Sequence, residues 1–140
     1  MLGRCIFCDI VSRKSNAQII TENEHALALL DAFPLVSGHT LILSKKHCEK
    51  LQDLNQDELI SVAMLLSKIT VAVENGAQAK STLIAIHNGK EAGQEIPHLH
   101  IHIVPRRIGD GGGPIHSCFL GGSTHNNSAE IFQKIKSAIL

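Results

Sequence analysis

Nine histidines in a chain of 140 residues carry most of the chemical information in this sequence. Three of them alternate with large aliphatic residues in the segment HLHIHIV, which runs from His98 to Val104. Because successive side chains of a β-strand point to opposite faces, this spacing predicts three imidazoles on one face and an apolar anchor on the other. Imidazole near neutral pH can attack phosphorus, transfer protons or bind a metal. The alternative is an exposed, histidine-rich strand at the edge of a sheet.

Neutral polar groups precede this strand and suit the oxygens of a phosphate: Asn88, Gly93 and Gln94. A nucleophile that attacks phosphorus needs preorganised donors around those oxygens, so the combination favours phosphoryl chemistry. Asn88 followed by Gly89 is also a common turn sequence, which is the simpler interpretation of that pair.

A second cluster has metal-ligand spacing. Cys5 and Cys8 form a CxxC pair, and two further ligands would have to come from separate strands, because no paired histidines follow at a zinc-finger interval. Two free thiols are the alternative. A disulfide framework is not expected for a cytoplasmic protein.

The elements that must position these residues can be predicted from pattern. Asn55 and Glu58 have the spacing of a capping box, and apolar residues then recur at helical intervals up to Asn75 and Gly76. Ser128 is a candidate cap for a last helix. Pro105 is expected to end the last strand. Strands are predicted over residues 18–23, 25–31, 40–44, 81–87 and 98–104.

Composition limits the remaining possibilities. Apolar residues make up 44% of the chain and charged residues 19%, which is typical of a globular protein. The formal net charge is zero and Trp and Tyr are absent, which argues against bulk electrostatic binding or base stacking on nucleic acid. No membrane-spanning or export segment is recognisable, so a cytoplasmic location is expected. The length favours one domain.

With these residues assembled, the chain resembles the histidine triad family of nucleotide hydrolases and transferases, in its zinc-carrying branch. The resemblance rests on HLHIHIV and on four segments that match in order and spacing: CIFCDI, HALALLD, GHTLILSKKH and HNGKEAGQ. It implies an α+β fold, with an antiparallel five-stranded sheet, one long helix and a C-terminal helix. It also implies a homodimer whose two sheets join. Residues 1–108 would be the domain core, and 109–140 a Gly-rich loop and helix of the same domain.

The resemblance implies a role for each matching residue. His100 would attack the α-phosphorus of a purine nucleotide conjugate and form a nucleotidyl-histidine, with its ring oriented by the backbone carbonyl of His98. His102 and His39 would complete the catalytic group. The other implied sets are phosphate contacts at Asn88, Gln94, Gly93, His100 and His102; nucleoside contacts at Ile6, Phe7, Ile10, Leu29 and Asp31, the last on the ribose; and structural zinc ligands at Cys5, Cys8, His47 and His98.

The sequence departs from the family at Glu95, where Ser or Thr usually follows the Gln. A carboxylate there would repel a phosphate, so Glu95 turns away, or turnover is slow, or the leaving group is cationic. Residues 109–140 are irregular, so the sequence does not identify the leaving group. A phosphoramidase is therefore the first hypothesis. The alternatives are a dinucleoside polyphosphate hydrolase, a nucleotide-binding regulator with little turnover, and a zinc-dependent hydrolase in which two strand histidines hold the metal.

Overall fold

The computed structural model describes residues 4–118 and 127–139. These residues form two compact units, divided between Asp110 and Gly111. The division lies close to the boundary predicted after residue 108. That both parts form a single domain stays a prediction.

The first unit is built on a five-stranded antiparallel sheet with the order β1-β2-β3-β5-β4. This confirms the predicted α+β class and sheet. The helices and strands of the unit are α1 (Ile6–Val11), β1 (Ile19–Glu22), β2 (Ala26–Leu30), β3 (Thr40–Ser44), α2 (Gln56–Gly76), β4 (Ser81–Ala85) and β5 (His100–Arg106).

The alternation of β5 divides its side chains between two cores. Ile101 and Ile103 belong to the cluster that includes Ile42 and the buried face of α2. His100 and His102 pair with Leu43 and Leu41 of β3, whose side chains pack with α1 on the other sheet face. Paired residues of adjacent strands share a face, so the predicted separation of imidazoles from aliphatic anchors is present.

The long helix begins as predicted. The Asn55 side chain accepts from the Glu58 amide at 3.0 Å, and the Glu58 carboxylate accepts from the Asn55 amide at 2.8 Å. This reciprocal capping box satisfies two amides that the first turn would leave unpaired. Among the described helices, α2 is the one that is long and apolar enough to cross a membrane by length and composition, a test that core helices also pass. Its buried residues are Val62, Leu65, Ile69 and Val73.

Two predicted strands differ from the observed strands by two residues at an end, and one helix was missed. The fourth strand ends at Ala85 and not at residue 87. Helix α1 was not predicted, because six residues are too few to show a helical period. Strand β5 begins at His100 and continues through Pro105 to Arg106. Pro105 lies beyond Ile103, the last β5 residue paired with β3, so no neighbour on that side needs its missing amide hydrogen.

The second unit contains a short 3₁₀ turn, Ile115–Cys118, and helix α3, Ala129–Ser137. The Ser128 side chain accepts from the Ile131 amide at 3.2 Å, which confirms the predicted cap. The apolar residues of α3 remain exposed within the unit. Part of the Gly-rich segment predicted as a loop, residues 119–126, lies outside the described residues.

Candidate active site and metal centre

A cavity of about 980 Å³ opens on the sheet face that packs against α1. All five residues predicted to bind the nucleoside line it: Ile6, Phe7, Ile10, Leu29 and Asp31. The imidazoles of His39, His100 and His102 line it as well, together with Gly93 and Glu95. An apolar wall beside a group of nitrogen donors is the usual composition of a site for a ligand with one flat and one charged end.

His100 is held in one tautomer by its own strand. Its Nδ1 lies 2.7 Å from the main-chain oxygen of His98, and a carbonyl oxygen can only accept. Nδ1 therefore carries the hydrogen, and Nε2 keeps a free lone pair. The ring is buried, and the edge of Phe7 packs 5.1 Å from it between ring centroids. A fixed ring with a free Nε2 lone pair is the state in which an imidazole acts as a nucleophile.

A chain of hydrogen bonds also fixes His39 and His102. The Leu35 amide donates to Nδ1 of His39 at 3.1 Å, which leaves the hydrogen of a neutral His39 on Nε2. That Nε2 lies 2.9 Å from Nδ1 of His102, so His102 accepts there and carries its own hydrogen on Nε2. Nε2 of His102 is buried and, among the described residues, has no hydrogen-bond partner. A buried donor without a partner costs about 1–3 kcal/mol, which points to an acceptor supplied by a ligand.

Burial keeps this pair neutral. It lowers the pKa of His102 to about 4, and the neighbouring imidazoles of His100, His39 and His87 act in the same direction. Burial also lowers the pKa of His39, against the opposing effect of the Asp31 carboxylate. The assignment of one hydrogen to each ring therefore holds at neutral pH.

Two predicted phosphate contacts, Asn88 and Gln94, do not line the cavity. The Asn88 amide accepts from the Leu51 amide at 2.9 Å and donates to Gln52 at 3.0 Å. The buried Gln94 accepts from the Gly89 amide at 2.8 Å and donates to the Glu49 carbonyl at 2.9 Å. Both side-chain amides thus connect the loop before β5 to the segment before α2. The structure does not bring them to the cavity, and their contact with a phosphate stays a prediction.

His87, to which the sequence analysis gave no role, lines the cavity instead. Its ring centroid lies 5.5 Å from that of His102. The pattern contained a signal for this position: Ala85 pairs with His102, so extending the alternation of β4 by two residues places His87 on the same face. The strand predicted over residues 81–87 included His87, whereas the observed strand ends at Ala85 and a loop carries His87.

The predicted metal ligands converge at the other end of α1. The Sγ atoms of Cys5 and Cys8 lie 3.4 and 3.5 Å from Nδ1 of His98, and Cys8 Sγ lies 3.2 Å from Nδ1 of His47. His98 is buried, and its Nε2 donates to the Ser44 carbonyl at 2.7 Å, so Nδ1 offers its lone pair to the cluster. Cys48, an alternative ligand on sequence grounds, is buried outside this group.

This donor set fits a zinc ion. Two sulfurs and two imidazole nitrogens lie within 4.8 Å of one another, which suits tetrahedral bonds of about 2.0–2.3 Å. Burial and the neighbouring Cys5 raise the pKa of Cys8 to about 11, so without a cation its thiolate is disfavoured at neutral pH. Four protein ligands would close the coordination sphere. Such a site braces a fold and has no open position for a reacting water.

A second group of possible ligands, Asp31, His39 and His102, also brings its atoms within 4.8 Å. The nitrogens of His39 and His102 that face each other are already joined by a hydrogen bond. The Leu35 amide, His39 and His102 thus form a chain of hydrogen bonds that orients both rings without a metal ion.

Comparison with known proteins agrees with this geometry. A family model described as the HIT domain matches residues 12–109. An uncharacterized HIT-like protein of Methanocaldococcus jannaschii is 42% identical over 107 residues, which cover 76% of this chain and 82% of the relative.

Two solved structures are informative. A Zn-bound histidine triad family protein from Mycobacterium smegmatis is 40% identical with a TM-score of 0.71, and the match covers 76% of this chain and 78% of that one. Plasmodium falciparum diadenosine triphosphate hydrolase, in complex with Cyclomarin A, is 31% identical with a TM-score of 0.66, over 69% of this chain and 65% of that one. The chain therefore belongs to the histidine triad, or HIT, family of nucleotide-binding proteins and hydrolases.

Proposed function

We propose that this protein hydrolyses purine nucleotide conjugates at the α-phosphate, with His100 as the nucleophile and a nucleoside phosphoramidate as the preferred substrate class. Nε2 of His100 forms a bond to phosphorus while the bond from phosphorus to the leaving group breaks, and the leaving group takes up a proton. Water then attacks the phosphorus, His100 departs, and a nucleoside monophosphate is released. The two steps replace one difficult displacement with two easier ones.

The observation that carries this proposal is the orientation of His100. Its Nδ1 hydrogen is donated to the His98 carbonyl at 2.7 Å, and the ring lines the cavity. The unpartnered Nε2 hydrogen of His102 supplies a donor for a phosphate oxygen beside the same ring. Nucleophile and donor are fixed before a ligand binds, and preorganised groups of this kind lower the barrier to phosphoryl transfer.

The apolar part of the cavity would hold the base. Phe7, Ile10 and Leu29 are buried there, and Ile6 lies at the exposed rim. Asp31 would accept from the ribose hydroxyls with its Oδ2, which lies 3.5 Å from Nε2 of His39, because its Oδ1 accepts from the Phe33 amide at 2.9 Å. Zinc at Cys5, Cys8, His47 and His98 would then attach α1, and with it the base pocket, to the strand that carries His100.

Glu95 bears on the leaving group. It is exposed and lines the cavity that holds the imidazoles, so its carboxylate would repel a phosphate or an anionic leaving group. A leaving group that contains a cationic amine would be attracted by the same carboxylate. This charge favours a phosphoramidate of a basic amine.

A second candidate is a dinucleoside polyphosphate hydrolase, which would use the same His100 chemistry. It is supported by the similarity to the diadenosine triphosphate hydrolase of Plasmodium falciparum. A nucleotide-binding regulator with little turnover is the alternative if the carboxylate of Glu95 has impaired catalysis.

We also propose a homodimer formed through the β4 edge of the sheet and the outer face of α2. Strand β4 has no neighbour on one side within the described residues, and Ile84 on it is 44% exposed. Met64 and Val71 on α2 are 67% and 60% exposed, an apolar surface that a second copy would cover. The proposed location is the cytoplasm, with neither nucleic acid nor membrane as a partner.

The test is to trap the intermediate. Wild-type protein is mixed with adenosine phosphoramidates, guanosine phosphoramidates and diadenosine polyphosphates, quenched within milliseconds to seconds, and analysed by intact-mass spectrometry. One nucleotidyl group should add to the protein with its best substrate, and His100→Ala should never carry it. Turnover without an adduct, abolished by a chelator, would support the metal-dependent alternative. AMP binding without turnover would support the regulator.

A further inference from the structure

The imidazole of His87 lies at the mouth of the cavity and has no structural role in the described fold. It is exposed and lines the cavity, and it forms no hydrogen bond or ion pair with another described residue. Its ring lies 5.5 Å from the ring of His102, at an interplanar angle of 66°. It shares the cavity wall with three other imidazoles, those of His39, His100 and His102, and this grouping indicates a common ligand.

The local backbone leaves room beside this ring. Gly93 has φ +93°, a conformation that favours glycine, and a Cβ built on it would lie 3.7 Å from Cδ2 and 3.9 Å from Nε2 of His87. The Cδ2–Nε2 edge of His87 therefore lies next to the position that a side chain at residue 93 would occupy. Because Gly93 has no side chain, a ligand oxygen can approach the backbone next to this edge.

The adjacent His102 points to the kind of ligand. Its Nε2 carries a hydrogen, is buried and lacks a partner among the described residues. The ring of His87 therefore lies next to a nitrogen donor that needs an acceptor. An acceptor that satisfies several nitrogen donors at once is an anionic oxygen, such as a non-bridging oxygen of a phosphate.

We propose that His87 is a phosphate-binding residue that donates to a non-bridging oxygen of the nucleotide beside His102, in the role that sequence reasoning gave to Asn88. The inference rests on the proposed function for the identity of the ligand, a nucleoside monophosphate or its conjugate. It assigns the phosphate group to three imidazoles, His87, His100 and His102, in place of the amide side chains of the preceding loop.

The inference is tested by binding and does not need turnover. Dissociation constants for AMP and for adenosine are measured by calorimetry with wild-type protein, His87→Ala and His87→Asn. Adenosine offers the same base and ribose without the phosphate. His87→Ala should weaken AMP binding about ten- to a hundredfold and leave adenosine binding within twofold. His87→Asn, which keeps a neutral donor, should recover most of the loss.

The control is His25→Ala, which removes an imidazole from the turn between β1 and β2, outside the cavity. It should change neither constant. Equal losses for AMP and adenosine in His87→Ala would overturn the inference in favour of a structural role, and unchanged AMP binding would overturn it outright. A phosphate-selective loss in a protein that never forms the adduct would uphold His87 and reject the covalent function. Wild-type protein that binds neither compound would reject both.

Discussion

Nδ1 of His100 lies 2.7 Å from the main-chain oxygen of His98, and the side chain of His98 belongs to the cluster of candidate metal ligands. One residue therefore orients the proposed nucleophile with its backbone and joins the cysteine cluster with its ring. Its Nε2 donates to the Ser44 carbonyl at 2.7 Å, which ties both functions to β3. A change in the position of His98 should consequently affect both metal binding and the orientation of His100.

The first prediction concerns the metal. Cys8→Ser should lose bound zinc and lower the melting temperature by about 5–10 °C, because a zinc ion held by these four side chains would link α1 to the sheet. Zinc content by atomic emission and melting curves with and without a chelator provide the measurement. Cys118→Ser, which changes an exposed thiol outside the cluster, is the control and should keep its zinc. One equivalent of tightly held zinc in Cys8→Ser would show that this cluster is not the metal site.

The second prediction concerns Glu95. Glu95→Ser removes a carboxylate from the cavity and should raise kcat/KM about fivefold or more on adenosine phosphoramidates with a neutral amine, since a charge repulsion of about 1 kcal/mol disappears. The increase should shrink or reverse for an amine that carries a cationic group. Glu91→Ser removes a charge from the same loop outside the cavity and is the matched control. Identical kinetics for wild type and Glu95→Ser on both substrates would exclude Glu95 from leaving-group recognition.

The third prediction concerns Asp31. Asp31→Asn keeps an acceptor for the Phe33 amide but replaces the charged acceptor that would face the ribose. The ratio of dissociation constants for 2′-deoxy-AMP and AMP should fall about tenfold in the variant, because a hydrogen bond to a charged group contributes about 1.5–3 kcal/mol. Competition binding with the two nucleotides measures this ratio. A ratio equal to that of wild type would place the ribose elsewhere in the cavity.

The sequence predicted best where periodicity acts over a whole element. The alternation from His98 to Val104 was sufficient to assign imidazoles to one sheet face, and the reciprocal cap of Asn55 and Glu58 located the start of α2. It failed in the loop before β5. The direction of the Asn88 side chain depends on tertiary contacts such as its bond to the Leu51 amide, which no period encodes.

The last prediction concerns the pH dependence of stability that arises from His102. Four charged or titratable side chains act on its ring: Asp31, His39, His87 and His100. Burial lowers its pKa to about 4, whereas an unfolded histidine titrates near 6.5. Between these values the unfolded chain binds a proton that the folded His102 does not, so the free energy of unfolding falls as the pH is lowered through this window. Above about pH 7 the residue has no such effect.

His102→Gln keeps an acceptor for Nε2 of His39 and removes the titration. Its free energy of unfolding, from urea titrations between pH 7.5 and 4, should therefore fall less than that of wild type, by up to about 3 kcal/mol at the acid end. His25→Gln, in the turn between β1 and β2, should follow wild type. Parallel curves for wild type and His102→Gln would mean that His102 takes up a proton in the folded protein at the same pH as in the unfolded chain. A cationic His102 would then carry hydrogens on both ring nitrogens, and its hydrogen bond with His39 would have to run in the opposite direction.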